Sequence, residues 1–216
     1  MVFGLASFLC FGGDLRASGL PIVRRMESMY ARLKSYSDTG MGPRGITFKT
    51  VYEAPGKFYF WYSEGWYICA NGRMGKELTH AGDLPVREAD RKKGWLATAW
   101  VQGKVETDLL EFEIAGFTGI SLATAYVVPT MLFPSYAGRV FSRMPQWQLL
   151  PSERYDGEMC YVVHSPDEDT TLWISQSRLA LRKESESSLD GGHDVITYKP
   201  QLNPKVDERV FVFKRP

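Results

Sequence analysis

A chain of 216 residues, 44% hydrophobic and 24% charged, can bury one sizeable core and is too apolar for disorder. Its formal net charge is +1, with no basic or acidic block, so it lacks the electrostatic footprint of a nucleic-acid binder. Its three cysteines form no Cys-x-x-Cys pair and no Cys/His cluster at ligand spacing, which argues against a zinc or iron–sulfur centre; no metal or cofactor is expected.

Residues 1–13 are apolar but too few to span a bilayer. Two readings stand for residues 1–19. One is an export signal ending near Ala17-Ser18-Gly19, although no Lys or Arg precedes its apolar core; the other is a packed N-terminal segment. Residues 20–216 read as a single domain. Residues 20–36 are predicted to be a helix, with Pro21 in its first turn. Ile22, Met26, Met29 and Leu33 recur at helical spacing, widened by Val23 and Tyr30, and the other face carries Arg24, Arg25, Glu27, Arg32 and Lys34. Ser37-Asp38-Thr39-Gly40 is expected to end it.

Strands follow at 46–53 and 57–62, joined by Ala54-Pro55-Gly56. Period two sets Phe58, Phe60 and Tyr62 on one face and Tyr59 and Trp61 on the other, so both faces are aromatic and one needs a cover. Residues 65–73 form another strand ending at Asn71-Gly72. Residues 75–93 read as a polar surface excursion, and 95–101 with 104–109 as a hairpin around Gln102-Gly103. An apolar helical unit spans 110–133, with Ser121 as a cap and Pro129 expected to kink or end the helix.

The stretch 146–183 carries strands separated by Asp156-Gly157, by the polar turn at 166–169 and by Gln176-Ser177-Arg178. Four consecutive strands with short turns make an antiparallel meander. A strand at 193–198, a loop at Leu202-Asn203-Pro204 and a last strand at 210–213 complete an α+β chain. Cys69 and Cys160 both fall on predicted strands; a disulfide between them and two buried thiols are equally open. His80, His164 and His193, with Asp167, Asp169 and Asp194 near them in sequence, lie in no nucleophile elbow, zinc helix or phosphate loop. No catalytic residue is assigned, and no enzyme is expected.

Residues 20–216 resemble the LolA/LolB-like superfamily of periplasmic lipoprotein carriers and lipoprotein-sorting-like proteins. The resemblance is carried by an ordered set of segments. These are Leu33 to Asp38; Phe48 to Phe60 with Tyr52, Pro55, Lys57 and Phe58; Val128-Pro129 with Leu132 and Pro134; Gly157 with Cys160-Tyr161; Leu172-Trp173-Ile174-Ser175; and Thr197-Tyr198, Asn203-Pro204 and Val210-Phe211. It implies a strongly curved antiparallel sheet, an incomplete barrel, with helices covering its concave side and a cavity for acyl chains between them. The cavity lining expected on that basis is Phe48, Phe58, Phe60, Tyr62, Leu122, Tyr126, Met131, Phe133 and Phe211, with 110–133 as lid or plug. The same aromatic residues would equally serve as ordinary core. The implied partner is a lipid or lipoprotein acyl chain bound by a monomer in the periplasm. The alternative is an envelope sensor that binds a protein partner on the same fold with a closed core. Residues 75–93 depart from the family pattern as an insertion, and the export signal is weaker than the pattern requires.

Overall fold

The structure, a computed structural model, describes residues 17–63, 66–74, 97–102, 124, 127–133, 141–188 and 191–212; at 66–74 and 97–102 it is the backbone that is described. In chain order the elements are α1 (Leu20–Tyr30), β1 (Ser35–Met41), β2 (Thr47–Glu53), β3 (Lys57–Tyr62), β4 (Trp66–Met74) and β5 (Ala97–Gln102). Then come α2 (Val127–Leu132), β6 (Gln148–Tyr155), β7 (Glu158–Ser165), β8 (Thr170–Ser175), β9 (Leu181–Ser187), β10 (His193–Tyr198) and β11 (Gln201–Leu202).

These strands form one eleven-stranded sheet in the order β5-β4-β3-β2-β1-β10-β9-β8-β7-β6, with β11 also beside β1. It is antiparallel except between β4 and β5, which run parallel. Among the described residues β5 and β6 end the order and do not pair, so the described sheet is an open, incomplete barrel, as expected. The meander at β6–β9 forms as read: Asp156 and Gly157 both have positive φ, 47° and 78°, as a two-residue hairpin turn demands. The aromatic alternation of β3 also holds. Phe58, Phe60 and Tyr62 are fully buried, while Tyr59 and Trp61 are half-buried on the other face.

Two meanders, β1–β4 and β6–β10, meet where β1 pairs with the returning chain. β10 opposes Gly40 and Met41, and β11 opposes Tyr36 and Ser37. Gly40 sits in this seam with the Phe48 ring lying over it. A Cβ there would stand 2.2 Å from the Thr197 carbonyl oxygen and 2.3 Å from the Phe48 ring. Backbone cannot yield as a side-chain tip can, so Gly40→Ala is expected to cost about 3 kcal/mol, measured by urea unfolding against wild type.

Several sequence expectations are corrected. The first helix ends at Tyr30, and the turn-like Ser37-Asp38-Thr39-Gly40 lies inside β1, because β2 pairs along its whole length while β11 and β10 pair with its two ends. Pro129 does not end α2, which is described from Val127 to Leu132 and continues past it, the Phe133 N–H bonding to the Pro129 carbonyl at 3.1 Å. β5 pairs with β4 in parallel; its expected hairpin partner, 104–109, lies outside the described residues. The last strand is instead a short 3-10 turn, Glu208–Phe211, because the Asp207 carboxylate caps it by accepting the Arg209 N–H. The Cys69–Cys160 disulfide is not formed: β4 and β7 are separated in the sheet by six strands, and Cys160 is a free, buried thiol whose pKa burial raises.

Candidate functional site

One face of the sheet is covered by helices, and the side chains beneath them divide into an apolar half and a hydrogen-bonded half. The apolar half begins with the register of β2 and β3. Phe48 opposes Tyr62, Thr50 opposes Phe60, and Tyr52 opposes Phe58, so five aromatic rings share a face. Phe48 and Phe60 stack at 6.1 Å, and Phe60 lies 6.2 Å from Tyr62. All six residues of α2 are buried over this floor. Phe133, which follows α2 directly, places its ring edge-on against both Tyr52 (5.4 Å) and Phe58 (5.7 Å).

The structure therefore brings Phe48, Phe58, Phe60, Tyr62, Met131 and Phe133 into one cluster with Val127, Val128 and Leu132. Leu122 and Tyr126 lie outside the described residues. Phe211 is buried apart from this cluster, at the ends of β3 and β4, with the Lys57 ammonium 5.9 Å from its ring centroid. Among the described residues, floor and cover belong to one buried hydrophobic cluster.

The hydrogen-bonded half lies under α1 and was not foreseen. Tyr30, from the buried side of α1, accepts the Leu181 N–H at 3.1 Å, and its ring packs 5.5 Å from Tyr36. The Tyr36 hydroxyl donates to Asp38 Oδ2 at 2.8 Å, and the Thr50 N–H donates to Asp38 Oδ1 at 3.1 Å. Nearby on β10 and β9, the Tyr198 hydroxyl donates to Glu184 Oε2 at 3.4 Å. Asp38 is 2% exposed and Glu184 1%, which is rare for carboxylates and tolerable only with such donors. Burial pushes the Asp38 carboxyl up to about 6, against the pull of its hydrogen bonds to Tyr36 and Thr50. Burial likewise raises the phenols of Tyr30, Tyr36 and Tyr198, so all three stay neutral. The one sequence signal was Tyr36 and Asp38 two residues apart, a shared strand face hidden within turn-forming residues.

A second polar network lies on β7–β9. The Glu158 carboxylate accepts from Ser175 (2.5 Å) and Ser177 (2.8 Å) and pairs with Arg178 at 2.8 Å, which holds it well down, at about 2. Arg182 pairs with Asp156 at 2.9 Å beside it. These contacts tie three strands together.

The histidines and acids picked out in the sequence are not assembled. His164 Nδ1 lies 3.0 Å from Thr171 Oγ1 across β7 and β8, and two strands, β8 and β9, separate it from His193 on β10. His193 opposes Ser187, whose hydroxyl donates directly to Asp169, so no imidazole stands between acid and hydroxyl as a nucleophilic relay needs. His80 is outside the described residues. Among the described residues, no group of three or more His, Cys, Asp or Glu could hold a metal ion, and no helix is long and apolar enough to cross a membrane.

No family model and no curated protein matches the chain. Solved structures do. With LprF from Mycobacterium bovis it shares 10% identity over 87% of this chain and 94% of that one, at a TM-score of 0.46. With a LolA superfamily protein from Nitrosomonas europaea the identity is 11% over 91% and 98%, at a TM-score of 0.28. With the Pseudomonas aeruginosa MucA/MucB complex it is 10% over 90% of this chain and 60% of that one, at a TM-score of 0.38. Likenesses of this size carry no residue, ligand or partner across to this chain.

Proposed function

We propose that this chain is a non-catalytic binding protein of the bacterial cell envelope. Its ligand is apolar, a lipid or lipoprotein acyl chain, held against the aromatic floor of β2 and β3 where α2 and Phe133 now lie. The observation that carries this reading is the aromatic floor itself: Phe48, Phe58, Phe60 and Tyr62 share one buried face of β2 and β3, and the Phe133 ring that follows α2 packs edge-on against Tyr52 and Phe58. The envelope assignment rests on the sequence resemblance to lipoprotein carriers.

The energies suit a carrier. A chain of about sixteen carbons gains roughly 12 kcal/mol at ~0.8 kcal/mol per buried CH₂. Displacing Val128, Met131, Leu132 and Phe133 costs roughly 1.5–3 kcal/mol for each side chain exposed. The two sums are of similar size, so binding is reversible, as delivery requires.

Native mass spectrometry with organic extraction, on protein exported to the periplasm, tests this. Co-purifying lipid is expected, reduced about tenfold in Met131→Gln. No lipid, together with no uptake of a fluorescent fatty acid, would sink the reading. The burial of floor and cover in one cluster among the described residues favours a second reading, a closed module that binds a protein partner. That is the reading such a negative result would leave.

A further inference from the structure

The cations of the first helix are scattered in sequence, and folding gathers them on one side. Val23, Met26 and Tyr30 are fully buried and fix the inward face of α1. At about 100° per residue, Arg24, Arg25, Ser28 and Arg32 then fall in one stripe, and all four are exposed. Arg32 continues the helical course past Tyr30: its N–H bonds to the Met29 carbonyl and its Nε donates to the Ser28 carbonyl at 2.8 Å. Exposed Lys34 follows. Glu27 is the one acid in residues 20–34, and its Oε1 is taken by the Ser142 N–H at 3.0 Å, which brings exposed Arg143 alongside. Among the described residues none of these five cations is in an ion pair.

We propose that this stripe docks the protein on an anionic lipid surface, with α1 lying along the headgroup plane. The chain as a whole is only +1, so the attraction is local to this face. A protein partner would want an aromatic or aliphatic anchor among the charges. Among the described residues the stripe has none: Pro21, Ser28 and Ala31 lie between the cations, and the exposed large hydrophobics (Met41, Met159, Val195 and Val212) are all elsewhere. A headgroup layer offers diffuse charge and needs no anchor, and each cation near it strengthens partitioning about fivefold.

Flotation of the full chain with vesicles tests the proposal. Binding is expected to vesicles containing phosphatidylglycerol and not to pure phosphatidylcholine, and added salt should release it. The triple variant Arg24→Gln/Arg25→Gln/Arg32→Gln should lower the partition coefficient about a hundredfold. The charge-matched triple Lys49→Gln/Arg154→Gln/Lys199→Gln, at exposed positions off the stripe, should bind as wild type does. Near-UV circular dichroism checks the fold; if the triple fails it, each single variant should still lose about fivefold. Equal binding to both vesicle types, no binding to the anionic ones, or equal loss in the two triples would overturn the proposal. Capture by polyglutamate without vesicle binding would overturn it too. Fatty-acid uptake should be unchanged in the stripe triple, which separates this docking surface from the ligand site.

Discussion

Truncating Phe60 to alanine is expected to destabilise the protein by about 3–5 kcal/mol. The ring is fully buried, stacks on Phe48 and touches Tyr62, and stands opposite Thr50 in the middle of the β2–β3 ladder. The walls of the space it leaves belong to paired strands, which cannot close in as loops can, so the cavity term is kept as well as the lost transfer energy. Urea unfolding of wild type and variant measures the difference. A long-chain fatty acid added to Phe60→Ala should recover part of the loss, because an acyl chain can fill the space and binds only the folded form. A cost below about 1.5 kcal/mol would show that the floor is not the rigid wall described here. A full cost with no recovery by fatty acid would favour the closed module over the carrier.

Raising the pH from about 4 to about 6 is expected to weaken wild type relative to Asp38→Asn. Burial holds the Asp38 carboxyl at about 6 against an ordinary 3.8. Between those values the folded protein keeps a proton that the unfolded chain has released. The stabilisation is therefore fully present below about pH 4 and lost as pH rises through 6. The whole difference is on the order of 3 kcal/mol, taking about two pKa units at 1.36 kcal/mol each. The groups facing Asp38 are Tyr30 from α1, Tyr36 on its own strand, Thr50 from β2 and Tyr198 from β10, with Glu184 of β9 held by Tyr198 behind it. The phenols stay neutral, and Glu184 is present in both proteins, so the difference between the two stability curves isolates position 38. Asparagine can still accept the Thr50 N–H and can donate to the Tyr36 oxygen, which keeps the site satisfied without charge. Parallel curves over this range would mean that Asp38 is not sealed from water as described.

Most of the strands were legible because their signals are local. Asp156-Gly157 supplies positive φ where a two-residue hairpin requires it, and the alternation in Phe58 to Tyr62 states which rings share a face. β1 was not legible. Ser37-Asp38-Thr39-Gly40 has the composition of a turn and becomes a strand only because β2, β10 and β11 offer it a ladder. The aromatic floor of the candidate site could be read from period two, but its cover could not. Whether Phe133 fills the space beside Tyr52 and Phe58 or stands aside from it is a matter of packing between segments far apart in the chain.

The sequence by itself determined the antiparallel meander, the buried face of α1 and the aromatic face of β3, since each follows from turn chemistry or from a period of 2.0 or 3.6 residues. Tertiary structure alone decided four other things. It set Cys69 and Cys160 on strands with six others between them, and it sealed Asp38 beneath Tyr30. It turned Phe211 away from the rings it was expected to join, and it drew Glu27 aside so that Arg24, Arg25 and Arg32 stand without an acid among them. Each of these depends on which strands become neighbours in the sheet. That choice is made by the burial of the whole covered face at once, and no short stretch of residues carries it.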